Sequence, residues 1–576
     1  MKKQRRVLWC LLLITAVFAL HGHVGTTDVF AADSTATEQE AAETLDIVSG
    51  WKSSYVIITP KTASTQVETA SRELRDAIQK KTGVSLKRKN DLLTITSKAS
   101  ETEILIVYTN RAESAEVMQD VPYGEYAIRV VGKKVVIAAW DETSLQKACE
   151  VFAEYVQEKG KFGSLTLASD YTASGDTFKG VGAIPHYEDK GITTQYIDLA
   201  DGSCMLYVAN TSRGDFVKYV EGLSDAGFTE FSFRQAGKML YAIYNNEETI
   251  LHASFNTTTR EARIAADKAY DMTIFTDTEY EKVCEPTVSL VGQEVEVSTG
   301  WIYNAMCLVF RAEDGRFIIV DGGYGVFSVN KLYKTLRSLH VNDGKITIAA
   351  WIMTHAHSDH TGAFQTLSNT TMKKRIVVEN FIHHFSTDAQ HEAIGSAGTS
   401  QKTRTAMKGY RDANIIKAHS GQVIQAGGME IEMLFTYADM EPAVLDEMNT
   451  TSLVFRVTAR DNSIMVLGDA SNRSLNYLCN IYGDYLKSDM VQIAHHGYNG
   501  VAKAYEWIDA DVVLWPGGVR QFYGREGLYR IKDWKFNKKA LDLAEEAYIA
   551  GDDVYTLILP YTPEDWRSVK IYDGEN

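Results

Sequence analysis

The chain has 576 residues, of which 45% are hydrophobic and 23% charged, a composition typical of soluble globular proteins and a length that fits about three to four domains. Its formal net charge of −16 argues against general nucleic-acid wrapping, which needs a basic surface. We therefore expect a multidomain α/β and α+β protein that forms no stable complex with nucleic acid.

The first 32 residues differ sharply from the rest of the sequence. Basic residues precede an apolar run at 7–20, and small residues at 29–32 resemble a cleavage site. This pattern predicts a signal peptide over 1–32 and a secreted or cell-surface protein, with an uncleaved amino-terminal anchor as the alternative. Residues 33–46 are rich in Ala, Thr, Ser and Glu and predict a flexible spacer. Beyond them no run of about 18 apolar residues occurs, so we expect no membrane span after signal removal.

Five cysteines follow the signal peptide, and their pattern does not suggest a disulfide framework. They are widely spaced, odd in number and include no C-x-x-C pair, so neither a disulfide scaffold nor a structural zinc site is predicted. We expect most of them to be small buried apolar residues. They are Cys149, Cys204, Cys284, Cys307 and Cys479.

Residues 47–175 predict a small α/β domain. Strand-like runs alternate with two amphipathic helices, the first stopping at Gly83 and the second running from about Thr143 to Lys159. The stretches Y-V-I-I-T-P, K-T-G-V-S-L, E-I-L-I-V-Y-T-N-R and E-Y-A-I-R-V resemble the small domain that precedes the catalytic barrel in α-glucuronidases and β-hexosaminidases. The resemblance implies an accessory role near a glycan, such as a cell-wall glycan. A structural module without a ligand is the alternative.

Residues 190–284 predict a small α+β domain. A strand is expected at Cys204–Asn210, and an amphipathic helix follows that ends at Gly227. Three further strand-like runs complete the domain, at 239–244, 250–255 and 262–265. No set of residues in this region suggests catalysis, so the prediction is an interaction module, joined through Glu285-Pro-Thr to the last region.

Residues 290–576 hold most of the residues that suggest chemistry. A predicted hairpin ends at Asp321-Gly-Gly323, whose small residues allow close backbone approach beneath a site, so Asp321 is a possible site residue. Tyr498 and Asn537 are candidates to line the pocket, with packing and helix capping as the alternatives. Three predicted strands end directly before residue types that bind metals: 346–353 before His355, His357, Asp359 and His360, 463–468 before Asp469, and 490–494 before His495 and His496.

The spacing H-x-H-x-D-H at 355–360 is suited to two neighbouring cations. Neutral imidazoles bind zinc or iron, and the carboxylate beside them suits a second position. A polar, His-rich surface loop is the alternative interpretation. We favour the metal site because the loop follows a buried strand, which would hold the ligands rigidly.

Four motifs in order, D-G-G, T-H-A-H-S-D-H, L-G-D-A and A-H-H-G, resemble the metallo-β-lactamase superfamily over about residues 290–576. Within it, N-T-T-S-L-V-F-R, V-L-G-D-A and H-H-G-Y most resemble the hydrolase domain of DNA-uptake competence proteins and, more distantly, secreted phosphorylcholine esterases. The resemblance implies an αββα sandwich with its site at one edge of the two sheets.

The resemblance also implies two divalent metal ions, with zinc favoured over manganese or iron. We favour His495 over His496 as a ligand because it directly follows the strand, and Asp359 is also a candidate catalytic residue that orients the nucleophile or moves a proton. The implied ligands are His355 and His357 for the first metal, Asp359, His360 and His495 or His496 for the second, and Asp469 as the bridge between them.

The first metal lacks a partner that many members of the superfamily provide. No His occurs between His419 and Asp469, and Asn449 stands in that interval. An Asn carbonyl is a poorer zinc ligand than imidazole, so we expect a weaker first site that prefers manganese or iron. The alternative is that His383 or His384 folds back and completes a tight zinc site.

These features predict an exported metal-dependent hydrolase, specifically a two-metal phosphoesterase or phosphodiesterase that uses a metal-bridging hydroxide. Its substrate would be a small-molecule or polymer phosphoester. One alternative is an extracellular nuclease of the competence type, which the acidic charge balance disfavours. The other is a surface glycan-binding protein whose metal domain is structural.

Overall fold

The computed structural model describes residues 43–93, 98–177, 184–188, 194–293, 295–296, 302–563 and 568–570. The predicted signal peptide and residues 33–42 of the predicted spacer lie outside the described residues, whereas residues 44–46, also predicted as spacer, lie in a β-strand. In the described part, no helix is both long enough and apolar enough to cross a membrane, and the five cysteines there are free thiols.

The amino-terminal elements follow the apolar pattern of the sequence. Helix α1 begins after Ser64, whose hydroxyl accepts a hydrogen bond from the backbone N–H of Val67, and it ends at Gly83 with a left-handed φ of 78°, as predicted. The elements are β1 (Thr44–Val48), β2 (Val56–Thr59), α1 (Thr65–Thr82), β3 (Lys87–Asn90), β4 (Glu103–Ile106), α2 (Ala112–Met118), β5 (Glu125–Val131), β6 (Lys134–Ala139), α3 (Glu142–Lys159), β7 (Leu165–Ala168) and β8 (Thr172–Asp176). Six of the strands form a sheet in the order β3-β2-β4-β6-β5-β8.

The next elements form a second, wholly antiparallel sheet. They are β9 (Thr194–Asp198), β10 (Cys204–Val208), α4 (Arg213–Gly222), β11 (Thr229–Ala236), β12 (Met239–Asn245), β13 (Thr249–Asn256) and β14 (Glu261–Lys268), with sheet order β11-β12-β13-β14-β10-β9. The sequence prediction missed β9 and β11; β11 is an edge strand that is largely polar and exposed. Leu206 and Leu251 of this sheet share one apolar core with Leu105 and Val136 of the first sheet, so the two sheets are packed together.

Most of the remaining strands build two eight-stranded sheets, and two short strands, at 295–296 and 302–303, pair separately with each other. The elements are β15 (Thr287–Val291), β16 (Val295–Glu296), β17 (Ile302–Tyr303), β18 (Cys307–Arg311), β19 (Phe317–Asp321), α5 (Gly325–Leu339), β20 (Ile346–Met353), α6 (Ser358–Ser368), β21 (Ile376–Val378), β22 (Asn380–His383), α7 (Asp388–Ala393), α8 (Thr399–Lys408), β23 (Asn414–Lys417), β24 (Val423–Ala426), β25 (Met429–Phe435), β26 (Val454–Ala459), β27 (Asn462–Val466), α9 (Asn472–Tyr482), β28 (Met490–Gln492), α10 (Ala502–Ile508), β29 (Val512–Trp515), α11 (Val519–Tyr523), α12 (Lys535–Leu543), β30 (Glu546–Ile549), β31 (Val554–Ile558) and β32 (Ser568–Lys570). One sheet runs β23-β22-β20-β19-β18-β15-β31 with β21 beside β20, and the other runs β24-β25-β26-β27-β28-β29-β30-β32.

The two large sheets face each other across a common apolar core. Leu308 and Ile318 of one sheet belong to the same buried cluster as Ile431 and Phe455 of the other. Helices α5 and α6 cover the outer face of the first sheet, and α9, α10 and α12 cover that of the second. The predicted αββα sandwich is therefore confirmed.

The strands that directly precede candidate ligands run parallel to neighbouring strands of their sheet. Strand β20 is parallel to β19 and β22 in one sheet, and β28 is parallel to β27 and β29 in the other. Because carboxyl ends of parallel strands meet at the same edge, the loops after β20, β27 and β28 come together at one edge of the sandwich.

The second sheet is docked against the sandwich through its β11–β12 hairpin and its β13–β14 face. The backbone N–H of Lys238 donates to the carbonyl of Ile481 at 2.9 Å, and Lys417 pairs with Asp201 at 2.7 Å. Residues 44–576 form a single compact unit. Because this unit is not divided further, the domain boundaries proposed at 175, 190, 284 and 290 stay predictions.

Candidate metal centre

Two groups of His and Asp side chains meet at the edge of the sandwich. The loop after β20 supplies His355 and His357, and the first turn of α6 supplies Asp359 and His360. Asp469 follows β27, and His495 and His496 follow β28. Within each group the donor atoms lie within 4.8 Å of one another; the groups are His355, His357 and Asp469, and Asp359, His360, Asp469 and His496.

Asp469 lies at the centre of both groups. Its Oδ2 atom is 3.1 Å from His360 Nε2, 3.7 Å from His496 Nε2 and 3.9 Å from His355 Nε2. Its backbone N–H donates to the hydroxyl of Ser452 at 3.2 Å. A single carboxylate that faces both groups is the arrangement expected of a bridge between two cations.

Burial and opposite charge set the protonation states of the cluster. Burial holds the pKa of His355 and His357 below the ordinary value, so both rings are neutral. Burial opposes ionisation of Asp469, yet the neighbouring His360 holds its pKa well below the usual range. Burial works against a charged His360, yet Asp469 and Asp321 hold the pKa of this ring well above its ordinary value, so a metal ion that binds its Nε2 must displace a proton.

The buried polar atoms of the site fit a bound metal. His496 Nε2, Asp469 Oδ1 and Asn449 Oδ1 are buried and have no hydrogen-bond partner among the described residues. An unpaired buried polar atom costs about 1–3 kcal/mol, so three in one place call for another partner. Imidazole nitrogen and carboxylate oxygen are the donors that zinc, manganese and iron accept.

Asp321 fixes the orientation of His360. The carboxylate is fully buried and accepts hydrogen bonds from His360 Nδ1 at 2.7 Å and from the Thr354 hydroxyl at 2.7 Å and backbone N–H at 2.8 Å. The Trp351 indole donates to the carbonyl of the same residue at 2.6 Å. With its Nδ1 proton donated to Asp321, His360 can offer Nε2, the ring nitrogen that lies 3.1 Å from Asp469 Oδ2, to a cation. Asp321 thus acts as a positioning residue one layer behind the cluster.

The loop after β28 directs the side chain of His496, and not that of His495, toward the second group of donor atoms. Both residues have left-handed backbones, with φ of 49° and 52°, and His496 Nδ1 donates to the carbonyl of Pro516 at 2.7 Å. His496 is buried, whereas the side chain of His495 is 29% exposed with Nε2 3.7 Å from Asp469 Oδ2. The geometry therefore favours His496 over the predicted His495, although which of them binds metal stays a prediction.

Asn449 lies beside the first group, as its place in the sequence suggested. Its Nδ2 lies 3.5 Å from the ring of His495, and its presence beside His357 works against the lowering of that ring's pKa by burial. His383 and His384, proposed as substitutes, belong to neither group. Instead, His384 Nδ1 donates to the carbonyl of Ala418 at 2.7 Å, and the ring of His383 stacks on Phe385.

Tyr498 lies at the rim of the site. Its side chain is 40% exposed, and its ring centroid lies 6.1 Å from that of His495 and 6.3 Å from that of Trp534. Asp359 is also partly open, with 26% of its side chain exposed. Tyr498, His495 and Asp359 therefore form the part of the site that solvent reaches.

Two polar residues hold the ligand loops. Gln492 Oε1 accepts from the backbone N–H groups of Leu467 and Gly468, both at 2.8 Å, and so joins the ends of β27 and β28. Sequence reasoning missed this residue, although a polar Gln inside the apolar stretch Met490–Ala494 is a signal that could have been noticed. Asn537 is buried, and its Nδ2 donates to the carbonyl of Gly497 at 2.7 Å; its role as a pocket residue stays a prediction.

An αββα sandwich with clustered His and Asp side chains at one edge defines a class of metal-dependent hydrolases. The family model described as the metallo-beta-lactamase superfamily matches residues 302–504. This part of the chain is therefore a metallo-β-lactamase domain and belongs to that superfamily, whose members are metal-dependent hydrolases. Comparison with curated proteins gives no match.

Solved structures with similarity to the chain share little sequence with it. The metallo-beta-lactamase fold protein YhfI from Bacillus subtilis is 16% identical, with 47% of this chain and 99% of that chain covered and a TM-score of 0.29. A diphosphatase of the PhnP family is 12% identical, with 40% and 85% covered and a TM-score of 0.25. CmlA, a diiron beta-hydroxylase from Streptomyces venezuelae, is 14% identical, with 46% and 44% covered and a TM-score of 0.25.

Proposed function

We propose that the protein is an exported two-metal phosphoesterase that prefers phosphodiesters. The observation that supports this most directly is the position of Asp469, whose carboxylate belongs to both donor groups. Two cations that share a carboxylate suit in-line displacement at phosphorus, where the attacking and leaving oxygens both need stabilisation. The substrate would be a small-molecule or polymer phosphoester outside the cytoplasm.

In this proposal His355, His357 and Asp469 hold the first cation, with Asn449 beside it, and Asp359, His360, Asp469 and His496 hold the second. We propose zinc for the second position, and zinc, manganese or iron for the first. When bound, the two ions supply an activated water and neutralise the negative charge on the phosphoryl oxygens.

The chain's own residues orient these donors and handle protons. Asp321 and the Pro516 carbonyl keep the protons of His360 and His496 on Nδ1, which leaves both Nε2 atoms facing inward. Asp359 is partly open to solvent, so its carboxylate is placed to orient the attacking water or to take up its proton. Tyr498 at the rim is placed to contact the substrate's leaving group.

A hydrolysis panel tests the proposed chemistry. The purified chain from residue 33, loaded with zinc or manganese, should cleave an activated aryl phosphodiester at least about 100-fold faster, in kcat/KM, than a β-lactam or a lactone. The corresponding phosphomonoester should fall between them. Lactam or lactone turnover equal to that of the diester would contradict the proposed reaction.

Export is tested separately. Residues 1–46 fused to a reporter that is active only outside the cytoplasm should give a signal, and deletion of the apolar run 7–20 should abolish it. Protein sequencing of the released product should begin near Asp33. A reporter that stays membrane-bound at its full length would instead support the anchor.

A further inference from the structure

A second His–Asp cluster, which shares no residue with the two groups of the candidate metal centre, lies where the second sheet meets the sandwich. On the β13–β14 pair, His252 stands opposite Ala265. Asp267 is two residues beyond Ala265, so its side chain lies on the same face as His252. His419 comes from the sandwich, in a turn after β23 in which its backbone N–H donates to the Gln422 side chain at 2.7 Å.

The three side chains present their donor atoms to a common point. His419 Nε2 lies 2.7 Å from Asp267 Oδ2, and His252 Nε2 lies 3.5 Å from the same oxygen. All three donor atoms lie within 4.8 Å of one another, and all three residues are buried. The imidazole rings are 4.2 Å apart, with an angle of 14° between their planes.

His252 is the group that a protein-only arrangement does not explain. Its side chain is 5% exposed, and neither ring nitrogen has a hydrogen-bond partner among the described residues. A buried imidazole without partners costs free energy that a Leu or Phe of similar size would not. Burial holds the pKa of His252 well below its ordinary value, so the ring is neutral and both His252 and His419 can act as ligands.

The surroundings leave room for a further ligand and limit the positive charge. A cavity of about 20 Å³ adjoins the cluster, enough for one water molecule; it is lined by His252, His419, Arg263, Ser420 and Asp439, among others. Lys417 pairs with Asp201 at 2.7 Å and also contacts the Ser203 hydroxyl at 2.8 Å. Burial raises the pKa of Asp267, and a bound cation would favour the ionised carboxylate.

We propose that His252, Asp267 and His419 bind a structural transition-metal ion, zinc by the type of its donors, that joins the second sheet to the metallo-β-lactamase domain. Two imidazoles, one carboxylate and one water complete the four positions that zinc requires. Because the ligands come from both sides of the contact, the metal stabilises docking and takes no part in hydrolysis. The proposal does not depend on the substrate of the catalytic centre.

Metal counting in variants tests this site. The full chain with Asp469→Ala and His360→Ala, which disables the catalytic centre, should still retain about one zinc per chain after desalting. Adding His252→Leu to that background should remove it. In an otherwise unaltered chain, His252→Leu should lower the metal content by one equivalent and leave kcat/KM for the best substrate within about twofold.

The melting temperature provides a second readout, because a bound metal and a metal-free stacked pair predict opposite effects of His252→Leu. If the metal binds, His252→Leu lowers the melting temperature of the zinc-loaded protein, and this difference disappears in excess chelator. If the site is only a stacked pair of neutral imidazoles, His252→Leu leaves the melting temperature unchanged or raises it, with or without chelator, and the proposal fails.

Anomalous scattering at the zinc edge from crystals of the unaltered protein covers the case in which the variants do not fold. A peak bounded by His252, Asp267 and His419 is expected. Peaks at the catalytic centre without one here would overturn the proposal.

Discussion

Asp469 is the single residue on which both catalytic donor groups depend. Asp469→Ala should remove metal from both positions, because the two groups share this carboxylate. We expect kcat/KM to fall at least about 1000-fold, or about 4 kcal/mol. Metal analysis and diester hydrolysis measure the two effects. The matched control is Asp461→Ala, an exposed Asp in the turn before β27, which should change neither; full activity in Asp469→Ala would refute the assignment.

The side chain of His496 points into the cluster and is buried, whereas that of His495 is partly exposed. His496 is buried with Nε2 3.5 Å from Asp359 Oδ2, so His496→Ala should lose one metal equivalent and at least about 100-fold in kcat/KM. His495→Ala should retain both metals and change chiefly KM, because the side chain lies at the open side of the cluster. The reverse pattern of metal contents would show that the strand-proximal residue is the ligand.

We expect Asn449 to make the proposed first metal position the weaker one. An amide oxygen is a poorer zinc donor than imidazole, so mild chelation should empty the His355/His357 position first, and Asn449→Ala should weaken it about tenfold further. Asn449→His should reverse the order by providing an imidazole. Competitive titration with a chelator measures both affinities, and the exposed Asn369 provides Asn369→Ala as control. If Asn449→Ala leaves the first affinity unchanged while His383→Ala or His384→Ala abolishes it, the prediction is wrong.

At the scale of elements, the turn after β28 depends on Gly497. This residue has a φ of 89°, and an added Cβ would lie 2.3 Å from Trp515 Cζ2. Gly497→Ala should therefore cost about 1 kcal/mol of backbone strain plus about 1–3 kcal/mol of overpacking, and it should displace His496 and lower metal affinity. Gly227→Ala separates the two effects, since Gly227 has a φ of 86° and open space around it. Chemical denaturation and metal titration measure both; equal costs for the two variants would contradict the steric argument.

The elements that the sequence predicts well are those whose pattern is local. Helix α1 is framed by its Ser64 cap and by Gly83, and strand β20 is an apolar run that reads directly as a buried strand. The three loops that converge on the site follow from parallel strands, which the motif order already implied. Strand β11 was missed because its apolar alternation is limited to Phe231 and Phe233 within an otherwise polar and largely exposed edge strand.

What the sequence does not reveal about the site depends on contacts between distant residues. The choice of His496 is set by the Pro516 carbonyl and by Trp515 against Gly497, neither of which is visible in A-H-H-G. Asp321 was predicted only as a possible site residue, because its hydrogen bonds to Thr354 and His360 cross between two strands. In the cluster of His252, Asp267 and His419, the last two residues are 152 positions apart, so no local sequence motif predicts the cluster.

At the scale of the whole molecule, the pair of Lys417 and Asp201 makes docking of the second sheet sensitive to acid. Burial works against the charged form, but Lys417 lowers the pKa of Asp201 from 3.8 to about 2. A lowered carboxyl pKa means that the pair stabilises the folded protein above pH 3.8 and that this contribution is lost as the pH falls toward 2.

Lys417→Met should therefore lower the free energy of unfolding by at most about 1 kcal/mol near neutral pH, because the Asp201 side chain is 40% exposed and solvent screens the pair. The difference from the unaltered protein should shrink as the pH approaches 2. Denaturation in excess chelator separates this effect from metal binding at His419. Lys487→Met, which removes the more exposed pair with Asp509, is the control. A difference that does not change with pH would contradict the argument.

The hairpin of β11 and β12 has a practical consequence for work on the catalytic region. Ala236, Met239 and Tyr241 of this hairpin belong to the same buried cluster as Leu434 and Tyr482 of the sandwich. A fragment that begins at residue 286 would leave that apolar face open to water, so it should self-associate at concentrations where the longer chain stays monodisperse. The same argument applies to natural variants of the chain. A variant without the amino-terminal half would need polar residues on this face for the hydrolase domain to stay monomeric in water.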